Sequence, residues 1–359
     1  MRLVTVGKPM PESMTATPAL AVVMAVKNGS DCVAKAVESV LSQSFRDFEF
    51  VVVDDGSTDD TAAILDRYAA ADRRMRVIHQ ANQGLGPSLN TAIRSTTAPL
   101  IARQDADDES LPGRFEAQVR FMEANPAVIV CGTWAEFVHE PWGYPFAFTP
   151  PAAPADVRAW LDRGDRPIVH GSVVMRRSAL EREGNLYRFR GCSQDIDLWL
   201  RLLAVGDFAL IPSLLYRYTV SASSASARQS FRQAAAGKLA EKLHAERRAN
   251  GQELTDWRAE EERYLSIAPP PQATSAEVHG EYILAARLLQ AGQYPLAARH
   301  FRNYLAHTSS RSLRAVVLAT MLPMLPLLRM ILAAKERILV GRPYVLRYID
   351  RSGRTESAA

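Results

Sequence analysis

The chain has 359 residues, of which 47% are hydrophobic and 23% are charged, and its net charge is +4. A composition this ordinary excludes a chain that is wholly disordered, collagen-like or coiled-coil. The three cysteines, Cys32, Cys131 and Cys192, form no CxxC pair and have no spacing that suits zinc, which favours buried, reduced thiols.

Residues 1–18 contain three prolines and lack the continuous apolar stretch of a secretory signal. We therefore predict a flexible N-terminal arm and a cytoplasmic location.

Strand and helix patterns alternate through the first 131 residues. Apolar, β-rich runs predict strands at 20–26, 48–53, 76–79, 100–103 and 127–131. Apolar residues at helical spacing predict helices around 33–41, 59–68, 85–94 and 115–122. This order is typical of an α/β fold with a mostly parallel sheet and flanking helices. Ligands of such sheets bind outside the carboxyl ends of the strands.

The chain after residue 131 is less regular. The stretch 134–166, rich in proline and aromatic residues, is interpreted as an irregular excursion over the sheet. Further patterns predict strands at 169–176, 208–211 and 214–218 and helices at 195–203, 228–264 and 277–307. The predicted organisation is an arm at 1–18, a domain at 19–226, a helical extension at 227–310 and a basic amphipathic segment at 311–359.

Two predicted strands end in clusters of aspartates. Asp54 and Asp55 follow the second strand, where carboxylates accept hydrogen bonds from a ligand or cap the next helix. Asp105 and Asp107 follow the fourth strand as an Asp-x-Asp pair. Two carboxylates on one side of an extended segment repel unless a divalent cation lies between them, whereas a solvated acidic loop needs no ligand. The apolar strand directly upstream favours the cation site.

Four further positions are candidates for contact with an acceptor substrate. Asp195 opens a predicted helix, where it serves either as a general base or as the helix cap. His170 lies between apolar residues and is either a hydrogen bonder to a ligand or a core histidine. Trp142 and Trp199 present rings that stack on a sugar or pack in the core.

The glycines at Gly84 and Gly86 suggest a dinucleotide loop only superficially. The third glycine position is occupied by Leu89, and the pair does not follow directly on a strand. The sequence also has no Gly-Lys-Ser phosphate loop. A nicotinamide cofactor is therefore excluded.

The order of these features resembles the inverting family 2 glycosyltransferases, which have the GT-A nucleotide-diphospho-sugar transferase fold. The stretches that carry the resemblance are 22–29 (VVMAVKNG), 39–45 (SVLSQSF), 49–59 (EFVVVDDGSTD), 82–84 (NQG) with Asn90, 105–108 (DADD) and 193–202 (SQDIDLWLRL). They extend over roughly the first 60% of the chain.

The resemblance implies a role for each matching residue. The nucleotide-sugar donor would contact Ala25, Val26, Asn28, Asp54, Asp55, Gly84, Asp105 and Ala106. Asp107, together with Asp105, would hold a divalent metal, Mn²⁺ or Mg²⁺, on the diphosphate. Asp195 would be the catalytic base, and His170, Gln194 and Trp199 are the acceptor-side candidates.

Three positions depart from the family pattern. Gln194 stands where the family usually has Glu, Ser221 where many relatives have His, and Ala25 replaces a common Pro. None of these changes removes a carboxylate of the proposed set.

The implied reaction is transfer of a sugar, with inversion, to a hydroxyl of a saccharide or lipid-linked acceptor in cell-surface polysaccharide or glycolipid synthesis. The alternative is a non-catalytic relative that binds sugar nucleotides as a scaffold, and the intact aspartate set argues against it. A sugar-phosphate nucleotidyltransferase would need a Gly-rich basic loop after the first strand, which residues 27–30 do not provide.

The positive charge of the chain lies near its C-terminus. Residues 299–351 contain ten basic and two acidic residues, so this stretch carries +8 and the rest of the chain −4. The apolar run 315–328 is shorter than the ~20 residues of a spanning helix. An in-plane anchor on the anionic inner face of the membrane and a helix packed on the body or a dimer interface both fit it. Nucleic acid is disfavoured as a partner, because aliphatic rather than aromatic residues alternate with the basic ones.

Overall fold

The structure, a computed structural model, describes residues 17–139, 144–182, 186–220, 230–266, 285, 288, 294–307 and 346–348. The chain divides into two units by its contacts. The first contains 1–135, 151–218 and 232–267, and the second contains 136–150, 219–231 and 268–359.

Ten strands and ten α-helices lie within the described residues. The strands are β1 Leu20–Val26, β2 Phe48–Asp54, β3 Met75–His79, β4 Leu100–Arg103, β5 Glu109–Ser110, β6 Val128–His139, β7 Tyr144–Phe148, β8 Val174–Arg176, β9 Asp207–Val220 and β10 Leu346–Tyr348. The helices are α1 Val33–Leu41, α2 Thr61–Ala71, α3 Leu85–Arg94, α4 Arg114–Ala124, α5 Pro154–Asp162, α6 Arg177–Arg182, α7 Gln194–Leu202, α8 Ser230–Asn250, α9 Trp257–Leu265 and α10 Tyr294–His307.

The sheet of the first unit confirms the predicted α/β class. Its centre is parallel, in the order β3-β2-β1-β4, with Val26 of β1 opposite Asp54 of β2. β8 continues the sheet antiparallel to β4, and β6 pairs antiparallel with β8. The short β5 pairs antiparallel with β9. Since β1, β2 and β4 run in the same direction, the loops that follow them meet at one edge of the sheet.

The sheet separates two layers of core. Alternate residues of a strand point to opposite faces, and β1 follows this rule throughout. Leu20, Val22, Met24 and Val26 pack on one face with residues of α1 and α4. Ala21, Val23 and Ala25 pack on the other with residues of α3, α5, α7 and α8. Both faces of the central strand are therefore buried, as expected for a parallel strand.

The stretch 134–166 was predicted to be irregular, and the structure corrects this. It contains most of the second half of β6, all of β7 and the helix α5. Pro154 occupies the start of α5, where a proline is compatible with the helix because the first backbone N–H groups need no partner within it. Proline content alone therefore gave the wrong prediction.

Two strand predictions in the second half of the domain also differ from the structure. The predicted strand 169–176 is a 3₁₀ turn at His170–Ser172 followed by β8. The two short strands predicted at 208–211 and 214–218 are a single strand, β9. Pro212 and Ser213 interrupt the apolar pattern, but both are exposed and the strand continues through them.

The second unit is described in part. Its strands β7 and β10 pair antiparallel, with Phe148 opposite Leu346, and Phe137 stacks on Phe148 at a centroid distance of 5.2 Å. The described residues do not include residues 1–16 of the arm, Trp142, Ser221 or nearly all of the basic segment 311–359. None of the helices in the described ranges combines the length and apolarity that crossing a membrane requires.

Candidate active site

The loops after β1 and β2 are joined at the edge of the sheet. The backbone N–H of Asn28 donates to Ser57 Oγ at 2.9 Å, and Asn28 Oδ1 accepts from the backbone N–H of Thr58 at 2.8 Å. Asn28 has a φ of +53°, a left-handed conformation that asparagine tolerates better than most residues. The side chains of Ala25 and Val26 are buried in the two core layers, so their backbone is what they can offer a ligand.

Asp54 and Asp55 are adjacent in sequence, but they have different surroundings. Asp54 is buried, accepts from the backbone N–H of Ser57 at 3.0 Å and lies 3.0 Å from His79 Nδ1. Desolvation opposes protonation of His79, but the hydrogen bonds to Asp54 and Asp66 raise its pKa. Asp54 therefore holds together the ends of β2 and β3.

Asp55 organises the loop that follows β3. Its carboxylate accepts hydrogen bonds from Gln80 Nε2 at 2.9 Å and from the backbone N–H groups of Gln83 and Gly84 at 2.8 and 2.9 Å. With its side-chain nitrogen facing Asp55, the amide of Asn82 donates a fourth bond at 2.8 Å. Asp55 thus fixes the conformation of residues 80–84 through four donors.

Glycines let this loop lie directly on the segment that precedes α7. Gly84 has a φ of +95°, and a Cβ there would lie 2.7 Å from the carbonyl oxygen of Arg190. A Cβ at Gly86 would overlap the carbonyl oxygen of Phe189. The loop that Asp55 organises is thereby brought against the approach to Asp195.

The Asp-x-Asp loop is held from within the protein. The buried amide of Gln104 donates to the backbone carbonyls of Asp105 and Asp108 at 3.0 and 2.9 Å. Arg103 Nη1 lies 2.5 Å from Asp105 Oδ1, and the backbone N–H of Asp105 donates to Tyr216 Oη at 3.2 Å. These contacts fix the conformation of residues 105–108 without a ligand.

The two carboxylates of this loop repel each other. Burial, and after it the negative charge of Asp105, raise the pKa of Asp107 to about 6. Ala106, between them, packs against the core. Two oxygen donors that resist joint ionisation suit a divalent cation, which would favour the ionised form of both. No cluster of three or more metal-ligating side chains is found in the part of the chain that is described.

Asp195 lies in the first turn of α7 and is half-buried. Ser193 directly precedes α7 and has a φ of +51°. Its Oγ donates to the backbone carbonyl of Gln233 at 3.1 Å. Desolvation raises the pKa of Asp195, the charge of Arg166 opposes the shift, and the charge of Asp105 adds to it. The charge of Asp105 contributes to the pKa of both Asp107 and Asp195, so Asp105 lies within electrostatic range of both.

The three acceptor-side candidates, His170, Trp199 and Gln194, differ in their surroundings. His170 Nε2 lies 2.8 Å from Tyr187 Oη, and burial followed by the charge of Arg103 lowers the pKa of His170 well below its usual value. It is therefore a neutral hydrogen bonder. Trp199 is 1% exposed and packs edge-on against Phe208, which is the core role rather than a sugar platform. Gln194 is also buried.

Sequence reasoning missed the residues that support the aspartates: Arg103, Gln104, Arg114, Tyr187 and Tyr216. All five are less than 4% exposed. The guanidinium of Arg114 lies 4.9 Å from the ring centre of Tyr216 and donates to Gln104 Oε1 at 3.1 Å. For Arg103 and Gln104, the sequence offered a signal: a charged and an amide side chain come directly after the apolar residues of β4. Such groups are seldom buried without a partner, so their position indicates a buried polar contact.

The sequence is similar to a protein-family model and to several known proteins. A family model described as "Glycosyl transferase family 2" matches residues 21–184. The glycosyltransferase-family protein EpsE of Bacillus subtilis is 37% identical over 198 residues, which cover 54% of this chain and 69% of EpsE. The amylovoran biosynthesis glycosyltransferase AmsE of Erwinia amylovora is 30% identical over 185 residues, covering 51% and 68% of the two chains.

Solved structures share the fold at low identity. The mannosyltransferase PcManGT from Pyrobaculum calidifontis, in complex with GDP-Man and Mn²⁺, has a TM-score of 0.50 and 19% identity, covering 91% of this chain and 89% of its own. S. aureus TarS 1–349, in complex with UDP-GlcNAc, has a TM-score of 0.52 and 15% identity, covering 94% and 99%.

Proposed function

This chain belongs to glycosyltransferase family 2, and from that premise we propose that it transfers a sugar, with inversion, from a nucleoside-diphosphate sugar to an acceptor hydroxyl. Asp195 is the catalytic base in this proposal. The donor binds along the loops that begin at Asn28, Asp55 and Asp105, and the acceptor approaches from the side of His170.

The observation that supports the proposal is that Asp105 lies within electrostatic range of both Asp107 and Asp195. Asp105 lies after β4 and Asp195 opens α7, 90 positions later in the chain, yet the charge of one raises the pKa of the other. A half-buried carboxylate with a raised pKa is suited to accept a proton. A second pair of carboxylates beside it is suited to the charged end of the donor.

Asp105 and Asp107 are the residues that would hold a divalent metal, Mn²⁺ or Mg²⁺. Both cations prefer oxygen ligands and commonly share them with substrate phosphates, which agrees with a site that offers two carboxylates. The Mn²⁺ named with PcManGT supports the same choice. When bound, the cation stabilises negative charge on the leaving diphosphate.

The other steps of the proposed reaction depend on side chains of the protein. Arg103 and Tyr216 hold Asp105 in one orientation, and Gln104 holds the loop around it. Asp195 removes the proton of the acceptor hydroxyl as that oxygen attacks the anomeric carbon. The C–O bond to the acceptor forms as the bond to the diphosphate breaks, so a single displacement inverts the configuration. Preorganised loops reduce the reorganisation that the reaction would otherwise need.

The substrates belong to the same proposal. We assign the protein to the synthesis of cell-surface polysaccharide or glycolipid, with a saccharide or lipid-linked acceptor. The printed role of AmsE in amylovoran biosynthesis supports this class. A peripheral position on the inner face of the cytoplasmic membrane and the domain boundaries at 18, 226 and 310 stay predictions.

Replacing the base tests the proposal directly. We expect Asp195→Asn to lower kcat about 10²- to 10⁴-fold, the usual contribution of a general base, while the affinity for the donor stays unchanged. The measurements are transfer or hydrolysis of sugar nucleotides with Mn²⁺ and donor binding by thermal shift.

The matched control is Asp47→Asn, which changes an exposed aspartate outside the site. Full transfer activity in Asp195→Asn would eliminate Asp195 as the base. A wild-type protein that binds sugar nucleotides but neither transfers nor hydrolyses any of them would instead support a binding scaffold.

A further inference from the structure

A second concave site lies at the other end of α7, away from Asp195. It is a cavity of about 610 Å³ between the last turn of α7, the C-terminal half of α8 and the helix α5. Five of its lining residues are arginines: Arg158, Arg188, Arg201, Arg247 and Arg248. We call it the arginine-lined cavity. At 1.5 Å per residue, the two ends of α7 are about 12 Å apart, so this cavity is separate from the carboxylate site.

Carboxylates neutralise most of this charge. Asp197, fully buried, pairs with Arg188 and with Arg201, whose Nε lies 2.9 Å from it. Glu253 pairs with Arg188 at 2.9 Å and with Arg247.

The two outer arginines form longer ion pairs, and Arg158 also donates to the backbone carbonyl of Leu203 at 2.8 Å. Arg248 lies 3.5 Å from Asp162, and Arg158 lies 4.0 Å from Asp207. Five arginines therefore share four carboxylates, and the cavity keeps an excess of positive charge.

Two guanidinium nitrogens at the cavity lack a hydrogen-bond partner among the described residues. They are Nη1 of Arg201, whose side chain is only 6% exposed, and Nη2 of Arg247. Burying a charged donor without an acceptor costs more than burying a neutral one. The two nitrogens belong to arginines of different helices, α7 and α8.

We propose that the arginine-lined cavity binds a phosphate-bearing small molecule. A phosphate group offers three strong acceptor oxygens, and the planar guanidinium fork of arginine matches its geometry better than a lysine would. The volume falls in the range of small-molecule sites, which is about 300–1,000 Å³. This site takes its ligand without a metal, unlike the carboxylate site, and does not depend on the proposed transferase reaction.

Calorimetric titration with inorganic pyrophosphate, in buffer that contains EDTA, tests the site on the full chain. Without a metal, the carboxylates of the other site repel the anion, and the comparison of variants distinguishes binding at the arginine-lined cavity from binding at basic residues elsewhere in the chain. The variant is Arg158→Gln with Arg248→Gln, because these side chains are 41% and 65% exposed and their loss leaves no buried charge unpaired. The matched control is Arg120→Gln with Arg263→Gln, two exposed arginines that also pair with acidic residues elsewhere.

We expect the wild type and the control to bind pyrophosphate, and we expect the cavity variant to bind it at least about tenfold more weakly because it lacks two charged hydrogen-bond donors. A second titration with a nucleoside diphosphate distinguishes a free phosphate ligand from a nucleotide. Tighter binding of the nucleotide, lost in the same variant, assigns the cavity to nucleotides; equal binding assigns it to the phosphate groups alone.

Two results would overturn the proposal. One is a wild type that binds neither anion at millimolar concentration. The other is binding that the cavity variant and the control weaken equally. If the double variant does not fold, as judged by circular dichroism, Arg248→Gln alone replaces it and the same comparison applies.

Discussion

The aspartates at the edge of the sheet owe their different chemistry to their immediate surroundings. Asp55 is surrounded by four donors and serves as the centre of a loop. Asp195 is desolvated, and the negative charge of Asp105 adds to the effect of burial on its pKa. In the proposed function, environment rather than residue type assigns one carboxylate to structure and the other to proton transfer.

Arg166 gives a test of this assignment at the residue scale. A base must be ionised, so activity should fall as the pH drops through the raised pKa of Asp195. The positive charge of Arg166 lowers that pKa, and its removal in Arg166→Gln disfavours the ionised carboxylate. We expect the acidic limb of kcat/KM against pH to move to higher pH in this variant.

Arg163→Gln is the control for charge loss, because Arg163 is exposed and pairs with Asp165. An acidic limb that stays in place in Arg166→Gln would contradict the role of Asp195 as the group titrated.

At the scale of elements, helix ends and loops rather than helix faces form the site. α3 begins at the loop that Asp55 organises, Asp195 lies in the first turn of α7, and β9 brings Tyr216 to the backbone of Asp105. The contact between the start of α3 and residues 189–190 allows no side chain between them. That contact joins the loop organised by Asp55 to the segment that precedes α7.

Gly86→Ala tests the contact. Alanine is favoured over glycine in a helix by about 1 kcal/mol, so propensity alone would stabilise the variant. The added Cβ would overlap the carbonyl oxygen of Phe189, and neither backbone can yield without moving. We expect a net loss of about 1–3 kcal/mol in the free energy of unfolding, measured in urea.

Gly113→Ala is the control for Gly86→Ala, because it adds a Cβ at a glycine where no neighbouring atom is close. Gly113 has a φ of +80° but nothing within 4 Å of an added Cβ, so its replacement costs only the strain, about 1–2 kcal/mol. A Gly86→Ala protein as stable as the wild type would show that the two loops do not meet as described.

At the scale of the whole molecule, charge is separated along the chain. Residues 299–351 carry +8 and the remainder −4. A basic stretch interrupted by aliphatic residues suits an anionic lipid surface, where each basic residue contributes about 1 kcal/mol. The proposed lipid-linked acceptor would be found at the same surface.

Vesicle flotation of the full chain tests this idea. Replacing Arg329, Lys335 and Arg337 by Gln should weaken binding to anionic vesicles by about 3 kcal/mol, and should not change binding to neutral vesicles. The control replaces Arg120, Arg182 and Arg263, which are exposed and outside the segment. Equal flotation of both variants would remove the basic segment as the cause.

The sequence by itself determined the family and most of the regular elements in the first 131 residues. Strands at 20–26 and 100–103 and the helix at 85–94 have the predicted bounds, because apolar periodicity is a local property that burial requires of each element. The aspartate motifs were recognisable for the same reason, since each lies within a short stretch of chain.

Only the tertiary structure decided which residues support the site. Tyr216 reaches Asp105 across 111 positions, and Asn90 bonds the backbone of Tyr187 across 97. The arginine-lined cavity likewise combines residues of three helices. No local pattern specifies such partners, because a buried polar group is satisfied by whichever donor or acceptor the fold brings to it.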